Sequence, residues 1–285
     1  MTNSAKTITT KPRVAVIGGG ISGLTAAYKL RDRAEVTLFE ANDYIGGHTN
    51  TVDIEINGTP LAVDTGFLVY NERTYPNLIA LFEELDVETV GSDMSFSVCL
   101  PEINLEWAGA NLNTVFAQRR NLLRPKFLKM LLDILRFNKE ATALVEKHGR
   151  ENLFAKYGKQ SLGDYLNANG YSPQFKDWYL IPMAAAIWSC PSEQMLGFPL
   201  ATFVQFCHNH GLLQVENRPR WFTVKNGARN YVNKIVPHVA HVRANCPVQK
   251  IVATGTKPTV VTEKGAENFD YVIAASHSDQ TLQML

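Results

Sequence analysis

The chain has 285 residues, 45% of them hydrophobic, and 28 Lys and Arg against 27 Asp and Glu leave a formal net charge of +1. So even a balance gives no general argument for nucleic-acid binding, and the length suffices to bury a substantial core in more than one typical domain. Four scattered cysteines (Cys99, Cys190, Cys207, Cys246) without C-x-x-C spacing indicate neither a disulfide framework nor a zinc site, and no apolar run reaches the roughly 18 residues of a membrane span. The expectation is a cytoplasmic protein without a metal centre.

Residues 14–47 carry the strongest signal. Val14 to Ile17 is an apolar, β-branched run that predicts a buried strand. It breaks at Gly18-Gly19-Gly20, passes through Ser22-Gly23 into a helical segment ending near Leu30, and returns as a second apolar strand, Val36 to Phe39, closed by Glu40. Gly18, Gly20 and Gly23 have G-x-G-x-x-G spacing with an acid about 20 residues on, the pattern of a dinucleotide-binding βαβ unit. Gly18 suits the tight turn, Gly20 lets backbone approach a pyrophosphate, and Gly23 lets helix and strand pack closely. The helix N-terminus offers N–H groups to phosphates, and Glu40 can accept hydrogen bonds from an adenosine ribose. Lys11 and Arg13 before an apolar run are also how a signal peptide begins, but three consecutive glycines break the run that such a peptide needs.

Further along, Thr51 to Ile56 alternates, Asn57-Gly58 is a two-residue hairpin turn, and Leu61 to Val63 returns as a strand. Tyr75 to Leu85 is predicted helical, with Leu78, Ile79, Leu81, Phe82 and Leu85 on its apolar side, and residues 95–107 are paired strands around Pro101. From about 114 to 210 the text is mainly helical. Within it, Lys126, Lys129, Asp133, Arg136 and Glu140 recur every three to four residues as one polar stripe, and apolar side chains cover the rest of residues 125–137. The favoured expectation is a helix buried on most sides with its charges solvated. The alternative, given Arg119, Arg120 and Arg124 just before it, is peripheral contact with an anionic membrane surface or an acyl chain.

His208 and His210 are two apart, so on a helix they cannot chelate one metal, and they are expected as helix-end histidines before Gly211. Cys190, after Trp188-Ser189, has no basic neighbour to activate a thiol and is expected to be structural. Trp107 and Trp221 are expected to fill volume, the alternative being an aromatic wall beside a flavin ring. Strands resume after Trp221, at Val248 to Ala253, Thr259 to Thr262 and Tyr271 to Ala274, and Ser276 is placed to cap a helix through Leu282.

The fingerprint alone does not separate NAD from FAD. Glu40-Ala41-Asn42-Asp43-Tyr44-Ile45-Gly46-Gly47-His48 resembles the flavin-containing amine oxidoreductase superfamily, whose first βαβ unit runs into Glu-Ala-x-x-x-x-Gly-Gly-Arg. His48 stands where many members have arginine, a departure that argues against a typical monoamine oxidase. A closer likeness, to a bacterial amine-oxidase-like branch, rests on Val63-Asp64-Thr65-Gly66-Phe67-Leu68-Val69-Tyr70-Asn71, on residues 181–190 (IPMAAAIWSC), on His208 to Leu213, and on Trp221 to Val224 with Asn226 to Val232.

The resemblance implies FAD as cofactor, with Gly18, Gly20, Ser22, Gly23, Glu40, Gly46, Gly47, His48, Gly66 and Phe67 around it and Val248 near the adenine. It implies an α/β fold: a Rossmann-like FAD/NAD(P)-binding domain of the glutathione-reductase type, discontinuous over residues 12–88 and 221–285. A mainly helical α+β substrate or cap domain, residues 89–220, is inserted. The activity implied is FAD-dependent hydride removal from an apolar small-molecule or lipid substrate, fatty-acyl or amine. An NAD(P)-dependent dehydrogenase and a non-catalytic dinucleotide-binding fragment are the alternatives. No catalytic residue is assigned, because the flavin itself takes the hydride. Superfamily members continue past a point comparable to Leu285 to a final glycine- and acid-containing segment at the diphosphate. The expectation is therefore a truncated chain that alone binds FAD weakly and turns over little.

Overall fold

The computed structural model describes residues 11–188, 190–214, 217–253 and 255–285, so Ser189 lies outside the described residues. The chain forms two compact units. The first comprises the chain up to Tyr70, Tyr75–Ser92 and Phe222–Leu285; the second comprises Asn71–Thr74 and Asp93–Trp221.

The first unit is built on a parallel sheet of four strands: β1 (Arg13–Ile17), β2 (Glu35–Phe39), β3 (His241–Arg243) and β4 (Tyr271–Ala274), in the order β3-β2-β1-β4. Val14 pairs with Val36 on one side and Tyr271 on the other. The apolar runs in β1 and β2 are continuous because both faces of the sheet are covered. Val14, Val16, Val36 and Leu38 share a cluster with Leu24, Ala27 and Tyr28 of helix α1 (Ile21–Leu30) and with Tyr231, Val232 and Ile235 of the helix Arg229–Ile235. Ala15, Ile17 and Phe39 share another with Cys246, Ile251, Val260, Phe269 and Met284. Ile251 and Val260 come from a three-stranded antiparallel sheet (Val248–Val252, Thr259–Thr262, Gly265–Asn268), Met284 from the last helix, Ser278–Met284, and Cys246 and Phe269 from the segments beside the sheet. The strands Gly265–Asn268 and His241–Arg243 are additions to the elements expected from sequence.

The hairpin forms as its turn residues predict. Thr51–Ile56 pairs with Thr59–Asp64, and Asn57 and Gly58 both take positive φ, 52° and 78°. Helix Pro76–Glu84 buries Leu81 and Phe82 against the same cluster as Tyr231.

In the second unit the strands Ser97–Leu100 and Leu105–Ala108 flank Pro101. The rest is helical, dominated by Pro125–Tyr157, which breaks at Gly149 where φ is 64°. Its core gathers Phe137, Ala141, Leu153, Leu162, Leu166, Phe175, Phe203 and Cys207. Among the described residues no helix is long and apolar enough to cross a membrane.

Candidate functional site

The sequence motif becomes a site at the carboxyl ends of β1 and β2. Gly18 donates its N–H to Phe39 O at 2.8 Å, which ties the turn after β1 to the end of β2. Gly20 begins α1 with extended backbone, and no side chain caps the helix, so the N–H groups of its first turn, which includes the exposed Ser22, have no side-chain acceptor. At Gly23 an added Cβ would run into the carbonyl oxygen of Gly18, so only glycine lets the helix seat on the turn.

The second glycine pair lies directly on the first. Gly46 donates to Gly19 O at 2.9 Å, and a Cβ on Gly47 would come within 2.9 Å of Gly20 Cα. In the direction of its own missing Cβ, Gly20 meets nothing nearer than Gly47 Cα at 4.0 Å. Two main-chain segments are therefore in direct contact, beside a helix N-terminus with a partial positive charge. Such a backbone cradle suits an anionic group that must approach backbone closely.

Glu40 closes one end of it. Its buried carboxylate accepts from Gly19 N through Oε2 at 2.7 Å and from Asn42 N through Oε1 at 2.9 Å. The main chain around it is equally fixed: Glu40 N donates to Arg243 O at 2.9 Å, and Cys246 N donates to Glu40 O at 2.8 Å. Each carboxylate oxygen accepts one bond and keeps a lone pair for a hydroxyl donor such as a ribose. At the other end, the exposed His48 stacks on His277, with ring centroids 5.5 Å apart and planes 11° from parallel. Phe67 N donates to His48 O at 2.9 Å, which brings Gly66-Phe67 against the Gly46-Gly47-His48 segment.

Ten of the eleven expected cofactor residues thus fall within three connected loops and the start of α1. Val248 does not join them directly: it sits two residues beyond Cys246, on the separate antiparallel sheet, packed beside Cys246 and Ile251. Sequence reasoning missed His277, because only the parallel pairing of β4 with β1, with Ala275 N on Ile17 O at 2.8 Å, brings that turn to the glycines. It also missed the part played by Asp64. Both Asp64 carboxylate oxygens accept from Ala228 N, at 2.9 and 3.0 Å, and one takes the Thr51 hydroxyl at 2.5 Å. The conspicuous runs around Asp64 and Ala228 therefore meet through one carboxylate.

The second unit corrects one expectation. The polar stripe of residues 126–140 keeps Lys126 and Lys129 exposed and Arg136 and Glu140 partly so, but it is not wholly a solvated face, because Asp133 is buried within it. Asp133 is 1% exposed, accepts from Lys129 Nζ at 2.6 Å and from Ser172 N at 3.1 Å, and Arg136 lies over the Tyr171 ring at 3.8 Å. Glu140 accepts from the Tyr171 hydroxyl at 2.7 Å and from Tyr165 at 3.2 Å. Burial pushes the Asp133 carboxyl up, but the bonds from Lys129 and Ser172 outweigh it and hold the group below the usual carboxylate range. Burial, with Glu140 close by, pushes Tyr165 to about 12. The helix instead turns Leu128, Leu132 and Leu135 outward.

The remaining candidates make contacts within the fold. Trp107 is buried and donates to Trp178 O at 3.3 Å. His208 lies in the last turn of the helix Leu200–Asn209, and His210, at its C-cap, stacks on Phe206. Cys190 Sγ rests 3.0 Å from Met195 Sδ.

The sequence model of the flavin containing amine oxidoreductase family matches residues 21–282. A carotenoid phi-ring synthase of Streptomyces griseus is 36% identical over 109 residues, 38% of this chain and 20% of that one. A probable polyamine oxidase 4 of Arabidopsis thaliana is 25% identical over 266 residues, 91% of this chain and 48% of that one. The solved structure of cyclohexylamine oxidase from Brevibacterium oxydans IH-35A superimposes with a TM-score of 0.72 at 19% identity, covering 93% of this chain and 58% of that one. The chain thus spans well under two thirds of each of these relatives.

Proposed function

Since the chain belongs to the flavin-containing amine oxidoreductase family, whose cofactor is FAD, we propose that it is an FAD-dependent oxidoreductase that removes a hydride from an apolar substrate. One observation carries the reading. Backbone of Gly19-Gly20 and Gly46-Gly47 is in direct contact, and the Glu40 carboxylate lies at one end of the cradle. FAD fits such a site, because a diphosphate needs main-chain donors without intervening side chains and the adjoining adenosine ribose needs an acceptor beside them.

In this reading Gly18, Gly20, Ser22 and Gly23 hold the diphosphate at the α1 N-terminus, and Glu40 orients the ribose. Gly46, Gly47 and His48 continue along the cofactor toward its flavin end, with Gly66 and Phe67 behind them, and Val248 borders the adenine side. The flavin, when bound, supplies the hydride acceptor. The protein's contribution is to fix the cofactor, orient the substrate carbon and keep water away, and no side chain is assigned as a base. An apolar substrate is supported by the relative whose name is carotenoid phi-ring synthase. Fatty-acyl lipids and hydrophobic amines are the other classes to try, and peripheral membrane contact suits substrates of this kind.

Anaerobic mixing of the protein, at saturating FAD, with carotenoids, long-chain acyl lipids and hydrophobic amines in turn tests the proposal. Bleaching of the flavin's visible absorption by one of these is the expected result. Reduction of added NAD by any of them, with the flavin spectrum unchanged, would overturn it in favour of a nicotinamide-dependent dehydrogenase.

A further inference from the structure

The helix Pro125–Tyr157 leaves an unusual outer surface on the second unit. Leu123 is 88% exposed and Leu132 is 62% exposed, and Leu122, Leu128 and Leu135 accompany them. Leu128, Leu132 and Leu135 are spaced i, i+4, i+7, so they form one line on the helix, and Lys139 continues it. Five large apolar side chains facing water within fourteen residues cost free energy that a monomer in solution has no reason to retain.

The charges around these leucines say what covers them. Residues 109–139 contain seven Lys and Arg (Arg119, Arg120, Arg124, Lys126, Lys129, Arg136, Lys139) and a single acid, Asp133. That acid is buried and taken up by Lys129 and Ser172. The guanidinium groups of Arg119, Arg120 and Arg124 donate to neutral oxygens of Phe116, Asn113, Asn104 and Ile103, so their charge is not neutralised by those contacts. A protein interior placed on this surface would have to desolvate several cations without carboxylates from this side. An anionic bilayer surface meets both demands: leucines enter the acyl boundary while the basic side chains stay at the phosphates.

We propose that residues 119–139 form a docking surface for anionic membranes, with Leu123, Leu128, Leu132 and Leu135 inserted and Arg119, Arg120 and Lys139 at the headgroups. The surface deepens the apolar-substrate reading and rests on it only in the choice of lipid as partner. It gives such an enzyme access to a substrate dissolved in the bilayer.

Flotation of the full chain with vesicles of phosphatidylcholine, or of phosphatidylcholine mixed with phosphatidylglycerol, tests it. Binding to the mixed vesicles, weak binding to phosphatidylcholine alone, and loss as salt is raised are expected. Leu132→Asp should lower partitioning about tenfold. Arg120→Glu and Lys139→Glu should each lower it about fivefold or more, and only on anionic vesicles. Ile54→Ser and Leu61→Ser, on the exposed hairpin of the other unit, should leave it unchanged, with circular dichroism confirming that all variants fold. Absence of flotation, an equal loss from the hairpin variants, or concentration-dependent self-association abolished by Leu132→Asp in place of lipid binding would overturn the proposal. Because flotation needs no flavin, failure here with FAD binding intact condemns the docking surface alone, and the converse condemns the flavin reading alone.

Discussion

The two units place polar chemistry in opposite ways. In the parallel-sheet unit the candidate site is made of main chain: glycines remove side chains so that loops 18–20 and 46–47 touch, and a single carboxylate, Glu40, is added. In the helical unit it is made of side chains: Asp133, Lys129, Arg136, Glu140, Tyr165 and Tyr171 satisfy one another between helices. A site built from backbone tolerates almost no added atom, whereas one built from side chains depends on each partner being present. The difference is open to experiment.

The largest effect should come from Gly23→Val. A Cβ there meets the Gly18 carbonyl, which is backbone and cannot swing aside. A loss of about 3 kcal/mol or more in urea-unfolding stability is expected. Gly91→Ala, where nothing lies within 4 Å of the new atom, should stay within about 0.5 kcal/mol and serves as the control. Equal stabilities for the two variants would show that the glycine turn is not the rigid element described above.

Asp133→Ala comes next, at about 2 kcal/mol, because it leaves the Ser172 N–H and the Lys129 ammonium without their acceptor. Lys129→Ala should cost less, since that side chain is half exposed and partly screened. A reversed order in thermal or urea unfolding would mean that the carboxylate is not the hub of this network.

The smallest effect is in the pH dependence. Asp133 has a folded value lowered from the ordinary 3.8, so its contribution is complete above that value and is lost as pH falls through the lower one. The stability difference between the wild type and Asp133→Asn should therefore shrink below about pH 4 and be flat above about pH 5. A difference that grows on acidification would give the shift the wrong sign.

The same contrast explains what was legible in the amino-acid text. The βαβ unit could be read because covered sheet faces demand unbroken apolar runs and because close backbone approach demands glycine at fixed spacings. Asn57-Gly58 could be read because both residues must reach positive φ. The strand Gly265–Asn268 could not: it is polar, lies at a sheet edge and owes its existence to pairing with Thr259–Thr262. The stripe at 126–140 was visible as a stripe, but periodicity says only that charges share a face. That Asp133 is buried against Ser172 and that Glu140 meets Tyr171 depends on contacts 39 and 31 residues away in sequence. His277 gave no local signal at all, since its place beside His48 comes from the β1–β4 pairing.

The central claim, that the glycine cradle and Glu40 form an FAD site, is tested most directly by titrating the wild type and Glu40→Ala with FAD and with NAD, following flavin fluorescence and calorimetric heat. FAD should bind more tightly than NAD, and Glu40→Ala should weaken FAD by the loss of one or two hydrogen bonds to a carboxylate, about 1.5–3 kcal/mol each. Tighter binding of NAD, or an FAD affinity indifferent to the loss of Glu40, would contradict the account.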